Sequence, residues 1–325
     1  MMRLPIIVPM AVLAALVCTF DEPVRAQPAA AAKADIAELW EEPADLLERD
    51  LFAGPGGTGL MPRTDAPFRF VARKSTGVNP GYDVLDSTGR PWSIKLGVEA
   101  QSEVTASRIL WAMGFHQPAV YYVGRWTLDG LDAGVKTNAR FRTDTDPYKS
   151  GKDWDWYANP FVGTQPLRGL IVAQMILNSW DLKTPNNKIY DAVVPSARPR
   201  RLFIVRDLGS SLGHSRQHRF FAMIGTRGQQ GSKNNVDDFE RQGFIERVEG
   251  NRVIFDYRGY NSALLNTVTP PDVVWACELL SRLPDSHWQA AFRAGAYTPE
   301  QTSRYVKKIK EKIAQGLALK TAGTR

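Results

Sequence analysis

The chain has 325 residues, 43% hydrophobic and 23% charged, with 41 Lys and Arg against 34 Asp and Glu for a net charge of +7. That balance fits an ordinary globular protein with enough chain for one large or two moderate folded units, and it excludes disorder as the general state. Two cysteines and four histidines without metal-ligand spacing exclude a disulfide framework and give no zinc site.

Arg3, the apolar run from Leu4 to Phe20 and the small-residue ending Val24-Arg25-Ala26 predict a signal peptide over residues 1–26, cut before Gln27. The run holds Pro5 and Pro9 and is shorter than the ~20 residues of a membrane span, so the expectation is an exported chain, periplasmic or secreted. Cleavage would remove Cys18 and leave Cys277, which lies in the apolar stretch VVWACELL and reads as a small buried hydrophobe.

Residues 27–67 read as an alanine-rich tether, a short amphipathic helix from Asp35 to Leu51, and a glycine linker, GPGGTG. That linker lacks the Gly-Lys-Ser/Thr ending of a phosphate-cradling loop and reads as a hinge. Residues 68–138 alternate as strands: FRFVAR, the turn KSTGVNPG, YDVLD, a second turn, then WSIKL. Glu99 to Gly114 has helical periodicity and PAVYYVGRW returns to strand, giving a small antiparallel sheet with one helix against it.

Residues 139–318 begin with a polar, aromatic stretch, Ala139 to Tyr157, read as a loop over a site. An apolar helix follows from Pro166 to Trp180, then SWDLKTPNN and a hairpin of KIYDAVV with RLFIVRD. A second hairpin, GFIERVEGNRVIFDYRG, precedes helices from Pro271 to Arg293 and from Pro299 to Leu317, with residues 319–325 as a tail. On the last helix Val306, Ile309, Ile313 and Leu317 share a side, and its lysines read as a solvated face that an anionic membrane surface could meet. The predicted class is α+β, bilobal, with a sheet-rich N-lobe and a mainly helical C-lobe.

Phosphoryl transfer needs a lysine for the non-reacting phosphates, a helix carboxylate to hold it, two oxygen ligands for Mg²⁺, and a carboxylate to orient the attacking hydroxyl. Lys95 ends a strand, Glu103 lies in the next helix, Asp181 follows a buried helix with Asn186 five positions on, and Asp207 ends an apolar strand before Leu208-Gly209. Singly, each is an ordinary turn or surface residue. Together they stand in the order the chemistry requires.

WDLKTPN resembles the kinase catalytic loop in its D-x-x-x-x-N spacing, RDLG resembles the D-F-G metal motif, and SIKLG resembles the strand that carries V-A-I-K. The resemblance spans roughly Phe68 to Gly213 and is nearest in style to atypical kinases: the HipA type, phosphoinositide kinases, and secretory-pathway and spore-coat kinases. Ser179 and Trp180 replace the usual His-Arg, KSTGVNPG departs from G-x-G-x-x-G, and a hairpin stands where A-P-E would follow.

By this resemblance Asp181 is the catalytic base and Lys183 contacts the γ-phosphate. Lys95 and Glu103 hold the nucleotide phosphates, Gly77 and Gly81 let the loop approach them, and Asn186 and Asp207 bind the metal, with Asn187 in reserve. The implied cofactors are ATP and Mg²⁺ (or Mn²⁺). The acceptor is an unidentified hydroxyl on a protein, glycan or lipid headgroup, with the aromatics of DWDWYANPF as a possible lining, and no nucleic-acid partner is expected. Two readings compete: a catalytically silent kinase-like binding protein of the cell envelope, and a metal hydrolase, for which no G-x-S-x-G element or Cys/His dyad is present.

Overall fold

The computed structural model describes residues 36–75, 79–143, 150–192, 200–215 and 231–322. The predicted signal peptide and cleavage site, Cys18, and Gly77 lie outside the described residues.

Five strands close a barrel: β2 (Phe68–Arg73), β3 (Gly81–Leu85), β4 (Pro91–Leu96), β5 (Val120–Asp129) and β6 (Gly134–Thr143), in the order β2-β3-β4-β6-β5. Alternation turns Phe68, Trp92, Ile94, Trp126 and Phe141 into one core, with Trp126 and Phe141 edge-to-face at 5.3 Å between centroids. The predicted sheet was wholly antiparallel. The structure instead closes it with a parallel pairing, Phe68 to Leu128 and Arg69 to Asp129, because β5 runs past Trp126 to Asp129 and turns back into β6. The predicted loop from Ala139 is therefore strand as far as Thr143, and a division at residue 139 falls inside β6.

Helix α1 (Glu99–Ala112) lies against β4, β5 and β6 and is buried on most of its surface. A second sheet, β1-β9-β8-β7, is built from β1 (Ile36–Glu38), β7 (Ser150–Asp153), β8 (Asn187–Ala192) and β9 (Arg200–Val205). Its β8–β9 hairpin is the one expected. The helix expected over Asp35–Leu51 is replaced by β1, which pairs in parallel with β9, and by a single 3₁₀ turn at Leu46–Glu48. The glycine stretch after it is packed, not a free hinge: the Tyr121 hydroxyl donates to Gly57 O at 2.9 Å, and a Cβ on Gly54 would fall 2.2 Å from the Arg108 guanidinium.

The main core joins α2 (Gln165–Ile176) to α3 (Val236–Arg241), α4 (Pro270–Ser281), α5 (Asp285–Ala294) and α6 (Pro299–Leu317). The hairpin of β10 (Ile245–Glu249) and β11 (Arg252–Phe255) sits between α3 and α4 in sequence, and α7 (Leu319–Ala322) follows α6. One predicted helix, Pro271–Arg293, is two: Pro284 has no N–H to continue α4 and stands at the N-cap of α5. Among the described residues no helix is long and apolar enough to cross a membrane.

Candidate functional site

The pleat of β4 sends Trp92 and Ile94 into the barrel, and Ser93 and Lys95 to the opposite face, toward α1. There Glu99 and Glu103, one helical turn apart, meet the lysine. Lys95 Nζ lies 3.0 Å from Glu103 Oε2, 3.2 Å from Glu99 Oε2 and 2.6 Å from Asp207 Oδ1. The other oxygen of the fully buried Glu103 takes Arg140 Nε at 2.8 Å and Arg142 Nη1 at 3.6 Å. Glu99 also pairs with Lys233, whose ammonium stands 5.5 Å from the centre of the Trp180 ring.

Charge governs this group. Burial opposes the charged state of Lys95, yet Glu103 and Asp207 raise its affinity for the proton above the ordinary lysine range. Burial likewise opposes ionisation of Asp207, and Lys95 overcomes it, holding the carboxyl well below the usual range. Asp207 keeps 39% of its side chain exposed, so a paired carboxylate still faces solvent. Arg140 is pushed down to about 10 by burial and the adjacent Arg142. Lys74, which reaches Ser93 Oγ, falls to about 8 by burial and the charges of Arg140 and Arg142.

The Asp207-Leu208-Gly209 segment leaves β9 and is fastened to α1, where Ser102 Oγ donates to Gly209 O at 2.8 Å. A Cβ on Gly209 would lie 2.7 Å from Glu99 Cβ, so only glycine lets the segment pass this close to the helix.

Asp181 comes from the other direction. Helix α2 ends at Ile176, and Asn178 turns the chain with φ +52°. Buried Trp180 is held by its carbonyl, which accepts from Tyr257 Oη at 3.0 Å, and by its indole N–H, which donates to Ser232 O at 3.1 Å. Burial first, then the Asp181 charge, raise the Tyr257 hydroxyl above its ordinary range. Asp181 Oδ1 lies 3.0 Å from Lys183 Nζ, and that ammonium stands 4.0 Å from the Tyr260 ring centre. Asn186 closes the loop by donating its amide to Asp181 O at 2.6 Å.

The β8–β9 hairpin joins the two halves. Asn187 is opposite Val205 in register, and the Arg206 N–H donates to Asn186 O at 3.0 Å. Asn186 is thereby tied to the residue that precedes Asp207.

Some expectations change. Asn187 is buried, with its amide donating to Trp154 O at 3.2 Å, and so serves the sheet. Gly81 opens β3, where a Cβ would fall 2.4 Å from Ile94 O; its demonstrable need is the close crossing of β4. Trp154 and Trp156 are buried in the core, with ring centres 4.9 Å apart. Sequence reading passed over Glu99, Arg140, Arg142, Lys233 and Tyr257. The alternating ARFRT was the available signal for Arg140 and Arg142, since Phe141 between them faces the barrel core.

Two other features stand apart. Glu38, Glu41 and His116 converge closely enough for a cation, but Arg200 already bonds both carboxylates. A cavity of about 920 Å³ between α5 and α6, lined by Trp288, Tyr297 and Val306 among others, includes none of Lys95, Glu103, Asp181, Asn186 or Asp207.

No protein-family model and no curated protein matches the chain. Among solved structures, the Helicobacter pylori proinflammatory kinase CtkA overlaps 80% of this chain and 97% of its own, at 10% identity and a TM-score of 0.48. The Rio2 kinase–ADP/Mg²⁺–phosphoaspartate complex from Chaetomium thermophilum overlaps 76% of this chain and 72% of its own, at 13% identity and a TM-score of 0.31.

Proposed function

We propose that the chain is an exported, ATP- and Mg²⁺-dependent phosphotransferase of atypical kinase type, acting on a hydroxyl of a protein, glycan or lipid headgroup. The observation that carries this reading is Lys95, which bonds the buried helix carboxylate Glu103 and the half-exposed Asp207 at once. In this reading the barrel with α1 is an N-lobe over residues 68–138, continued by the rest of β6, and the helices and second sheet form a C-lobe to residue 318.

The donor set suits a hard divalent cation: a carboxylate on Asp207 and the side-chain oxygen of Asn186, whose amide nitrogen is spent on Asp181 O. When bound there, Mg²⁺ supplies charge neutralisation for the phosphates. With the cation held by Asp207 and Asn186, Lys95 would be free to hold the non-reacting phosphates while Glu103 keeps it in place. Asp181 accepts the proton of the acceptor hydroxyl as that oxygen bonds to the γ-phosphorus and the bond to the β-phosphate oxygen breaks. Lys183 pairs with Asp181 in the absence of ligand and turns to the transferred phosphoryl group when it is present.

Turnover of labelled γ-phosphate tests this, with water as the default acceptor. Asp181→Ala should lower turnover by roughly 10²- to 10⁴-fold while leaving Mg-ATP binding intact. Unchanged turnover in that variant sinks the assigned role. A second reading, a silent binding protein, is favoured by one feature: both aspartates are already paired with lysines of the chain. It requires that Asp207→Ala leave cellular function intact.

A further inference from the structure

One lysine of α6 does not reach water. Lys312 is 2% exposed. Its Nζ donates to Ile176 O at 2.9 Å and to Asn178 Oδ1 at 2.6 Å, and stands 4.5 Å from the Phe239 ring centre. Among the described residues no carboxylate pairs with it. Burial, helped by the charge of Lys308 and opposed by Asp256, pushes it well below the ordinary lysine range, and a neutral amine keeps both N–H bonds to these acceptors.

Burying a lysine is costly, and Lys312 offsets that cost with two hydrogen bonds to acceptors that a methionine would leave unpaired. The two acceptors are informative. Ile176 is the last residue of α2, and Asn178 is the left-handed residue that starts the loop toward Asp181. The Asn178 amide donates in turn to Gly213 O at 2.7 Å, and Leu212 N–H donates to Leu177 O at 2.9 Å. From the same face of α6, Tyr305 Oη donates to Leu212 O at 3.1 Å. Segments 177–178 and 212–213 are thus bolted together under α6, and each leads directly to one of the two aspartates.

We propose that Lys312 is a positioning residue that acts through Asn178 to fix the Asp181 loop relative to the segment that follows Asp207. The proposal rests on the phosphotransferase reading for its effect on turnover, but the coupling of the two segments is measurable without it.

The test uses the full folded chain with Lys312→Met, Asn178→Gly and the double variant. Glycine keeps the left-handed backbone and removes both side-chain bonds. Hydrogen exchange should speed up in residues 178–183 and in 208–214 together, in either single variant. Turnover should show a kcat lower by roughly tenfold to a hundredfold, as expected for small misplacement of a reacting group, with KM for ATP little changed. The double variant should be no worse than the weaker single variant.

Unchanged kcat in a folded variant, loosening of one segment alone, or losses that add in the double variant would overturn the proposal. If Lys312→Met does not fold, Lys312→Gln, which keeps a polar N–H group at this position of α6, decides by the same exchange and kcat readouts. If the unaltered protein shows neither a Mg-ATP thermal shift nor turnover, the phosphotransferase reading fails. The exchange result then decides the coupling alone: joint loosening supports it, and anything else overturns it.

Discussion

Glu103 shows what one side chain does in this site. It has no exposed surface, and its two oxygens divide Lys95 from Arg140 and Arg142. Neutralising it leaves three buried or half-buried cations short of a counter-charge, so Glu103→Gln should cost about 3–5 kcal/mol in urea unfolding. A loss below about 1 kcal/mol, the range of exposed pairs, would show that water screens the group. Lys74 gives a separate pH signature. With its folded value near 8 against 10.5 ordinarily, the unfolded chain binds more protons between those limits, so Lys74 makes stability rise with pH across that window. The slope is at most about 1.4 kcal/mol per pH unit, and Lys74→Met should remove it. Equal slopes in the two proteins would contradict the burial of that ammonium.

At the scale of elements, α1 is the support of the Lys95–Asp207 group. It offers Glu99 and Glu103 to Lys95 and fastens the Asp207–Gly209 segment through Ser102. Gly209→Ala tests this contact: the added methyl meets Glu99 and should cost about 1–3 kcal/mol while moving Asp207 off Lys95, seen as weaker Mg-ATP binding. Full stability and binding in that variant would mean the contact is slack. Strands β2 to β4, helix α1, both hairpins and α6 were legible because period-2 and period-3.6 patterns end at glycine, proline or polar turns. The D-x-x-x-x-N and D-x-G spacings were legible for the same reason, each following an apolar run. Strand β6 was not, because its start, GVKTNAR, is polar on both faces, and the far face of ARFRT is buried by an ion network rather than by hydrophobes. Lys312 was hidden by the reverse effect: a lysine in a helix rich in exposed lysines carries no local mark of burial.

The whole molecule is what assembles the site. Lys95 and Glu103 are near neighbours in sequence, but Asp207 reaches them across 112 residues, and Asn186 is brought to Asp207 by the β8–β9 hairpin. No short segment contains this arrangement. Thermal unfolding of the chain with and without Mg-ATP, beside Asp207→Ala, tests this most directly. Ligand at about a hundred times its Kd should add about 2.7 kcal/mol, in a shift that needs Mg²⁺ and is absent from Asp207→Ala. No shift at millimolar Mg-ATP, or an equal shift in the variant, would contradict the assignment of Lys95, Asn186 and Asp207 to one metal–nucleotide site.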